Sequence, residues 1–449
     1  VKLLVVSTLV VGLLSPATAA DPVHVEGTLP SGATYVMDVP AGWNRTVLLY
    51  SHGYTPDGAP NPARNAPDEE VRTGLLDRGY ALIGSSYAET GWVLERALPD
   101  QVATLDAFVD RFGSPRETIA WGTSLGGMVT TGLVERYDRF DGALAMCGLQ
   151  QGGVANWNNT LDPVFAIRTL LAPGSTAPLV DLPDQATALA AAAELTAALD
   201  AGQSTALGRA RTALAAALHN IPAWTEAQLP EPAPGDHETA QRNQYLALRG
   251  TVYVGLSWRQ EAETWAGGNM SWNTGVDYTR MLARSSIRAE VEALYARAGA
   301  SLSADLATLA AAPRISADRH AVAYLVRNLS FTGRPGAPLL TIHTTGDALV
   351  PVQVQRAYAD AVHEAGRERW LRQAFVHRGG HCTFTTGEML AALRALRERV
   401  RDGRWPDTGP RALNEAAERL DPGGTHAYLA YRPAPYPRPF DLVDPPPRN

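Results

Sequence analysis

The sequence predicts an α/β fold: a mostly parallel sheet with helices on both faces, broken by one large, mainly helical insertion. Three observations carry this. Short apolar strands alternate with helical stretches up to Met146 and again after Pro338. Three of the strands run into glycine-containing turns that present Ser124, Asp347 and His381. Between Cys147 and Pro338 the rhythm changes to alanine-rich helical segments.

Taken in order, Val23 to Thr28, Thr34 to Val39 and Val47 to Tyr50 read as antiparallel strands joined by Gly/Pro turns. Pro67-Asp68-Glu69-Glu70 opens a helix to about Arg78, and Ala81 to Ser85 is the next strand. Leu94 to Phe112 has apolar residues at helical spacing and stops at Gly113. The stretch from Thr118 to Val129 is a strand, then Gly122-Thr123-Ser124-Leu125-Gly126, then a helix from about Leu125, with a further strand from Gly142 to Met146. In the insertion, helices are expected over Leu182 to Leu199, Thr205 to Leu218, Asp236 (as N-cap) to about Arg249, Ser286 to Ala298, Ser303 to Ala311 and Ala317 to Arg327. The proline-rich end, from Arg432 to Arg448, is expected to lie extended over the surface.

Gly-x-Ser-x-Gly between a strand and a helix is the setting of a nucleophile elbow, a tight turn that holds a serine hydroxyl clear of the sheet. A serine hydroxyl attacks poorly unless a base takes its proton, and His381, delivered by Gly379-Gly380, is the candidate base. Asp347 follows the apolar run from Leu339 in a Gly-Asp turn and would fix the imidazole tautomer. His343 reads as a packed strand residue. His377 and His381 have His-x3-His spacing, but Arg378-Gly379-Gly380 between them argues against a helix, so no metal site is expected.

These motifs resemble the α/β-hydrolase superfamily, whose triad runs serine, acid, histidine along the chain. The resemblance implies Ser124, Asp347 and His381 as that triad. It also implies the backbone amides of Tyr54, after the strand ending His52-Gly53, and Leu125 as oxyanion donors, with His52 structural. In these enzymes an insertion at this point is a cap; here it gives a division into residues 21–148 and 333–449 as core with a C-terminal extension, and 149–332 as cap. The chain also looks like the exported hydrolases of soil actinobacteria. Thr123 before the serine departs from tannase-like enzymes, which have a cysteine there. The reading is a serine hydrolase acting on a small-molecule or polymeric ester through an acyl-enzyme, needing no cofactor. An amidase or peptidase on the same triad is second, an acyltransferase third; a non-enzymatic binding module does not suit an intact triad. Within the insertion, the aromatic, glycine-containing run from Trp265 through Trp272 to Tyr278 has the composition of a recognition surface and is expected to wall the substrate pocket.

The 449 residues carry a formal charge of −7 and no Lys/Arg-rich run, which argues against a nucleic-acid partner. Lys2, the apolar run Leu3 to Leu14 and the small residues up to Ala20 form a signal peptide cleaved after Ala19 or Ala20, residues 1–20, so the protein is expected to be secreted. The apolar run is too short to span a bilayer. Export permits a disulfide, and Cys147 and Cys382 both fall at the carboxyl edge of the sheet, where a bridge would brace the histidine loop.

Overall fold

A computed structural model describes residues 22–439; the expected targeting segment lies outside the described residues, as does the chain beyond Pro439. Nine strands form one sheet in the order β1-β2-β4-β3-β5-β6-β7-β8-β9. They are β1 (Val23–Thr28), β2 (Thr34–Val39), β3 (Thr46–Ser51), β4 (Ala81–Ser85), β5 (Glu117–Thr123), β6 (Gly142–Met146), β7 (Leu339–Gly346), β8 (Leu371–Gly379) and β9 (Tyr428–Leu429). The run from β4 through β3 to β8 is parallel; β1, β2 and β9 pair antiparallel at the edges. This corrects one expectation. Val47 to Tyr50 does not continue the antiparallel meander, because β3 lies in the middle of the sheet and pairs parallel with both β4 and β5.

Alternation along the strands serves the two faces. Leu48, Tyr50, Ile119 and Trp121 point to the layer of α1 (Glu69–Asp77) and α14 (Thr386–Asp402). Val47, Leu49, Ala120 and Ala143 point to α2 (Leu94–Phe112), α3 (Leu125–Arg136) and α13 (Val354–Glu364). All six residues of β3 are buried, as a central parallel strand requires. One more helix, α15 (Pro410–Leu420), packs beside α14 with proline at its first turn.

The insertion between β6 and β7 is helical: α4 (Gly153–Leu171), α5 (Gln185–Gly202), α6 (Ala206–His219), α7 (His237–Tyr253), α8 (Arg259–Ala266), α9 (Tyr278–Arg284), α10 (Arg288–Arg297), α11 (Leu302–Ala311) and α12 (Arg319–Leu329). Side-chain caps set several starts, with Asp184, Thr205, Asp236, Asp277 and Ser301 each accepting from a backbone N–H in the first turn. The helix begun at Asp236 does not stop near Arg249; it passes through a π turn at Val254–Trp258 into α8. Helix α4 has no counterpart in the sequence reading. It contains Pro163 and is buried on nearly every side, so it shows no apolar stripe. Its Val154 and Trp157 pack in the core beneath the sheet's helices, while Leu161 and Phe165 pack in the cap's own core, so α4 bolts the cap to the sheet.

Of the proline-rich end expected to lie extended over the surface, the described part, up to Pro439, is anchored inward. Tyr436 is buried, and Arg438 reaches a fully buried carboxylate, Asp162 of α4, at 2.9 and 3.0 Å. It also donates to the Trp272 carbonyl at 2.7 Å, and Tyr278 Oη donates to Asp162 at 2.9 Å. Burial pushes the Asp162 carboxyl up against the opposing pull of the Arg438 charge. Arg438→Ala should strand that charge and cost about 3–5 kcal/mol in urea unfolding. Adding Asp162→Asn should recover part of the loss. A loss under about 1 kcal/mol would show that the tail is not anchored there.

Candidate active site

Ser124 stands at the turn from β5 into α3 with φ 57° and ψ −123°, a conformation few residues tolerate. The flanking glycines make room for it. A Cβ at Gly122 would lie 2.5 Å from the Gly126 oxygen and 2.6 Å from the Ser51 oxygen; one at Gly126 would run into the Ser51 carbonyl. The Ser124 N–H donates to the Met146 carbonyl at 3.0 Å, which fixes the turn against β6.

The structure brings the three predicted residues together. His381 Nε2 lies 2.8 Å from Ser124 Oγ, and His381 Nδ1 lies 2.6 Å from Asp347 Oδ2. Asp347 is fully buried, and its other oxygen accepts from the N–H groups of Leu349 and Val350 at 3.0 and 2.8 Å. Burial pushes its carboxyl up, but the facing His381 and the contacts from His343 and His381 outweigh this and hold it at about 2. The stabilisation from this depressed value is therefore present above its ordinary 3.8 and is lost as the pH falls through about 2.

His343 is a packed strand residue, as expected, yet it also supports the acid loop. Its Nε2 lies 2.8 Å from the Val350 carbonyl and 3.4 Å from Asp347 Oδ2, while Gln355 holds Nδ1 at 3.0 Å. The sequence signal for this was only a second histidine four residues before the aspartate. His377 lies apart, paired with Glu231 at 3.1 Å. His52 sits between the carbonyls of Gly53 and Ser86 and stacks on Tyr87, away from the triad.

Gly53 packs against Ser124, so the loop after β3 places Tyr54 beside the elbow. Among the described residues neither the Tyr54 nor the Leu125 amide N–H has an acceptor. The Tyr54 ring is gripped by the cap: its hydroxyl donates to Glu261 at 2.6 Å, and the ring lies 4.0 Å from that of Trp258. Burial, then the Glu261 carboxylate, push the Tyr54 phenol far up, so it stays a donor.

A cavity opens at Ser124. Its aromatic walls are Tyr54, Trp92 and Trp258, with Leu149, Val254, Leu349 and Val350 completing the apolar lining. The expected wall residues Trp265, Trp272 and Tyr278 do not line it. Trp265 packs half-buried against the core, Trp272 is buried beside Arg438, and Tyr278 is committed to Asp162. The loop between them is stitched inward, with Asn269, Ser271 and Asn273 buried and hydrogen-bonded, and Arg259 donating to Ser271 at 2.7 Å. Aromatics mixed with small polar residues describe a buried, hydrogen-bonded loop as well as a recognition surface.

Cys147 and Cys382 are joined in a disulfide, with Cα atoms 5.4 Å apart. The bond ties the end of β6 to the residue after His381. Among the described residues, one group of potential metal-ligand atoms comes together, Cys147, His381 and Cys382, and its two sulfurs are spent on each other. No described helix is long and apolar enough to cross a membrane.

The elbow, the acid and base loops and the inserted helices define an α/β-hydrolase-fold enzyme, and the chain is a hydrolase of the serine-hydrolase type. It is 30% identical over 430 residues to the o-phthalyl amidase of Xanthobacter agilis, covering 90% of this chain and 93% of that protein, and it belongs to that enzyme's family. No family profile matches the chain. Among solved structures, feruloyl esterase B from Aspergillus oryzae aligns at TM-score 0.46 with 16% identity, covering 88% of this chain and 85% of that one. An esterase of Pyrococcus furiosus aligns at 0.38 with 12% identity, covering 87% and 95%. The acylaminoacyl peptidase of Pyrococcus horikoshii aligns at 0.37 with 10% identity and 86% coverage of this chain, which spans 41% of that enzyme's length.

Replacing both Cys147 and Cys382 by alanine should lower stability by about 2–4 kcal/mol in urea unfolding, and reducing the native protein should have the same effect. Denatured, unreduced protein should show no titratable thiol. Two free thiols in that assay would contradict the bridge.

Proposed function

We propose that this chain hydrolyses the amide bond of an o-phthalyl amide, releasing phthalate and an amine, with Ser124 as nucleophile. The observation that carries the reading is the unbroken chain of hydrogen bonds from Ser124 Oγ through His381 to buried Asp347, opening on an aromatic-walled cavity. The family relationship supports the amide bond and the o-phthalyl acyl class. The residues alone put ester hydrolysis first; the relationship to an amidase moves the amide ahead of it.

Each step uses a group already placed. Ser124 Oγ attacks the amide carbon while His381 Nε2 takes its proton. The carbonyl oxygen becomes an oxyanion that accepts from the N–H groups of Tyr54, in the loop after β3, and Leu125, the first residue of α3. His381, held by Asp347, returns the proton to the amine as the carbon–nitrogen bond breaks, leaving an ester on Ser124. Water then attacks this ester with His381 again as base, giving the acid and restoring Ser124. Amide hydrolysis leans on the second proton transfer, since an unprotonated amine is a poor leaving group. The aromatic walls suit a flat benzoyl ring. We further propose that residues 1–20 direct export with cleavage after Ala19 or Ala20; the disulfide suits an oxidising compartment.

Two measurements test this reading. The purified protein should turn over an o-phthalyl anilide with a higher kcat/KM than aminoacyl or peptidyl nitroanilides and than p-nitrophenyl esters of straight-chain acids. Turnover of the straight-chain esters alone would restore the ester reading. Asp347→Asn should lower kcat by about 10⁴ with little change in KM, because the imidazole would take the wrong tautomer. A loss below about tenfold would remove Asp347 from the triad.

A further inference from the structure

The cavity beside Ser124 has a polar side that the chemistry above does not use. Asn156 and Thr160 come from successive turns of α4, His219 from the end of α6 and Thr251 from α7. Their hydrogen bonds show which atoms are spent. Thr160 donates to the Asn156 carbonyl at 2.8 Å, and the Asn156 side-chain oxygen accepts from Gln151 at 3.0 Å. The Asn156 amide nitrogen has no acceptor among the described residues.

His219 is 5% exposed and lines the cavity. Its Nδ1 lies 3.0 Å from the Asn159 carbonyl oxygen and 2.8 Å from the Asn159 side-chain amide, whose other end, Oδ1, is buried with no partner. With that amide turned end for end, the Nδ1–H faces two oxygens, those of the Asn159 carbonyl and side chain, and the amide nitrogen takes the buried place without a partner. In that orientation Nδ1 carries the proton and Nε2 is a lone-pair nitrogen with no partner among the described residues. No lysine, arginine, aspartate or glutamate lines the cavity among the described residues. A negatively charged substituent on a bound acyl group would therefore meet no permanent cation, and His219 is the one lining group that can become one.

We propose that His219, with the Asn156 amide beside it, is the subsite for the ortho carboxyl of an o-phthalyl acyl group. This rests on the o-phthalyl reading above and names the residues that would make the site select it. In the empty cavity the ring is neutral, because burial pulls its value down to about 4. A carboxylate entering the cavity draws a proton from solvent onto Nε2, and the new N–H donates to it; the free acid entering instead brings the same proton. Either route adds one proton per substrate bound. The neighbours on α4 and α7, Asn156, Asn159, Thr160 and Thr251, do not titrate. From the acid loop Asp347 acts on His219 by its charge and favours the protonated ring, and it stays ionised down to about pH 2.

The test compares three anilides, of benzoic, 2-carboxybenzoic and 4-carboxybenzoic acid, on the full-length protein and on His219→Gln, His219→Leu and Asn156→Ala. The wild type is expected to prefer the 2-carboxybenzoyl anilide over both others. His219→Leu should cut the ratio of kcat/KM for the 2-carboxybenzoyl over the benzoyl substrate by about 100-fold, the scale of a lost charged hydrogen bond, and mainly through KM. His219→Gln, which keeps a donor, should lose less, and Asn156→Ala about tenfold. The wild-type KM for the 2-carboxybenzoyl anilide should rise with pH relative to that of the benzoyl anilide. Using a ratio within each variant separates selectivity from damage to the fold. A wild-type preference that survives in both His219 variants overturns this assignment and leaves the o-phthalyl reading standing. A wild type without the preference overturns both.

Discussion

The active centre depends on one close approach of backbone to backbone, that of Gly126 to the end of β3. Because Gly126 has no Cβ, α3 can begin directly over the carbonyls of Ser51 and His52. That contact, with the Ser124 N–H anchored on β6, holds Ser124 in a backbone conformation that would relax in a looser setting. The hydroxyl then points away from the sheet, and the first N–H of α3 is left without an acceptor beside it. A methyl group at residue 126 would push α3 off β3, and the nucleophile would move with it. The strain is tolerated because both supporting strands lie within the parallel sheet, buried on both faces.

The other partners are braced from outside the sheet as well as within it. The Cys147–Cys382 bridge fastens the histidine loop to the strand that also holds the elbow, so His381 and Ser124 share one support. Asp347 is fixed by two amides of its own loop and by His343, which Gln355 in turn holds from α13. The cap is part of the same machinery. Through Glu261 and Trp258 it holds the ring of Tyr54, whose amide is the proposed oxyanion donor, while Trp258 and Val254 from the π turn form cavity wall. A π turn widens the helix locally, and here it falls where helix α7 passes the cavity. Cap and sheet therefore cannot be varied independently: a change in the cap that reshapes the pocket also moves the loop carrying Tyr54.

What was legible in the sequence was local. The elbow, the Gly-Asp turn and the Gly-Gly-His turn each announce themselves within about ten residues of chain, and the strand before each one supplies the context. The cysteines could be paired because both follow strand ends on one edge. The pocket walls were not legible, because core loops carrying Tyr54, Trp92, Leu349 and Val350 meet residues of α4, α6, α7 and the π turn only on packing. Helix α4 carries Asn156 and Thr160, but Pro163 and burial on all sides erase its periodicity. Trp258 lies in a π turn, which shifts the helical phase that a regular pattern would follow. Trp265, Trp272 and Tyr278 drew attention by composition, and the structure spends them on packing and on Asp162. Arg438 looked like one residue of a surface tail; only its buried partner shows otherwise.

In the proposed mechanism Ser124 carries the acyl group between amide cleavage and water attack. This step is tested most directly by quenching the protein in acid during turnover of an activated o-phthalyl ester, where acylation outpaces deacylation, and mapping the modified peptide by mass spectrometry. The expected result is one 2-carboxybenzoyl group per chain, on the peptide containing Ser124 and lost on further incubation before quenching. Turnover with no acyl group on the protein, or with the group on another residue, would contradict it.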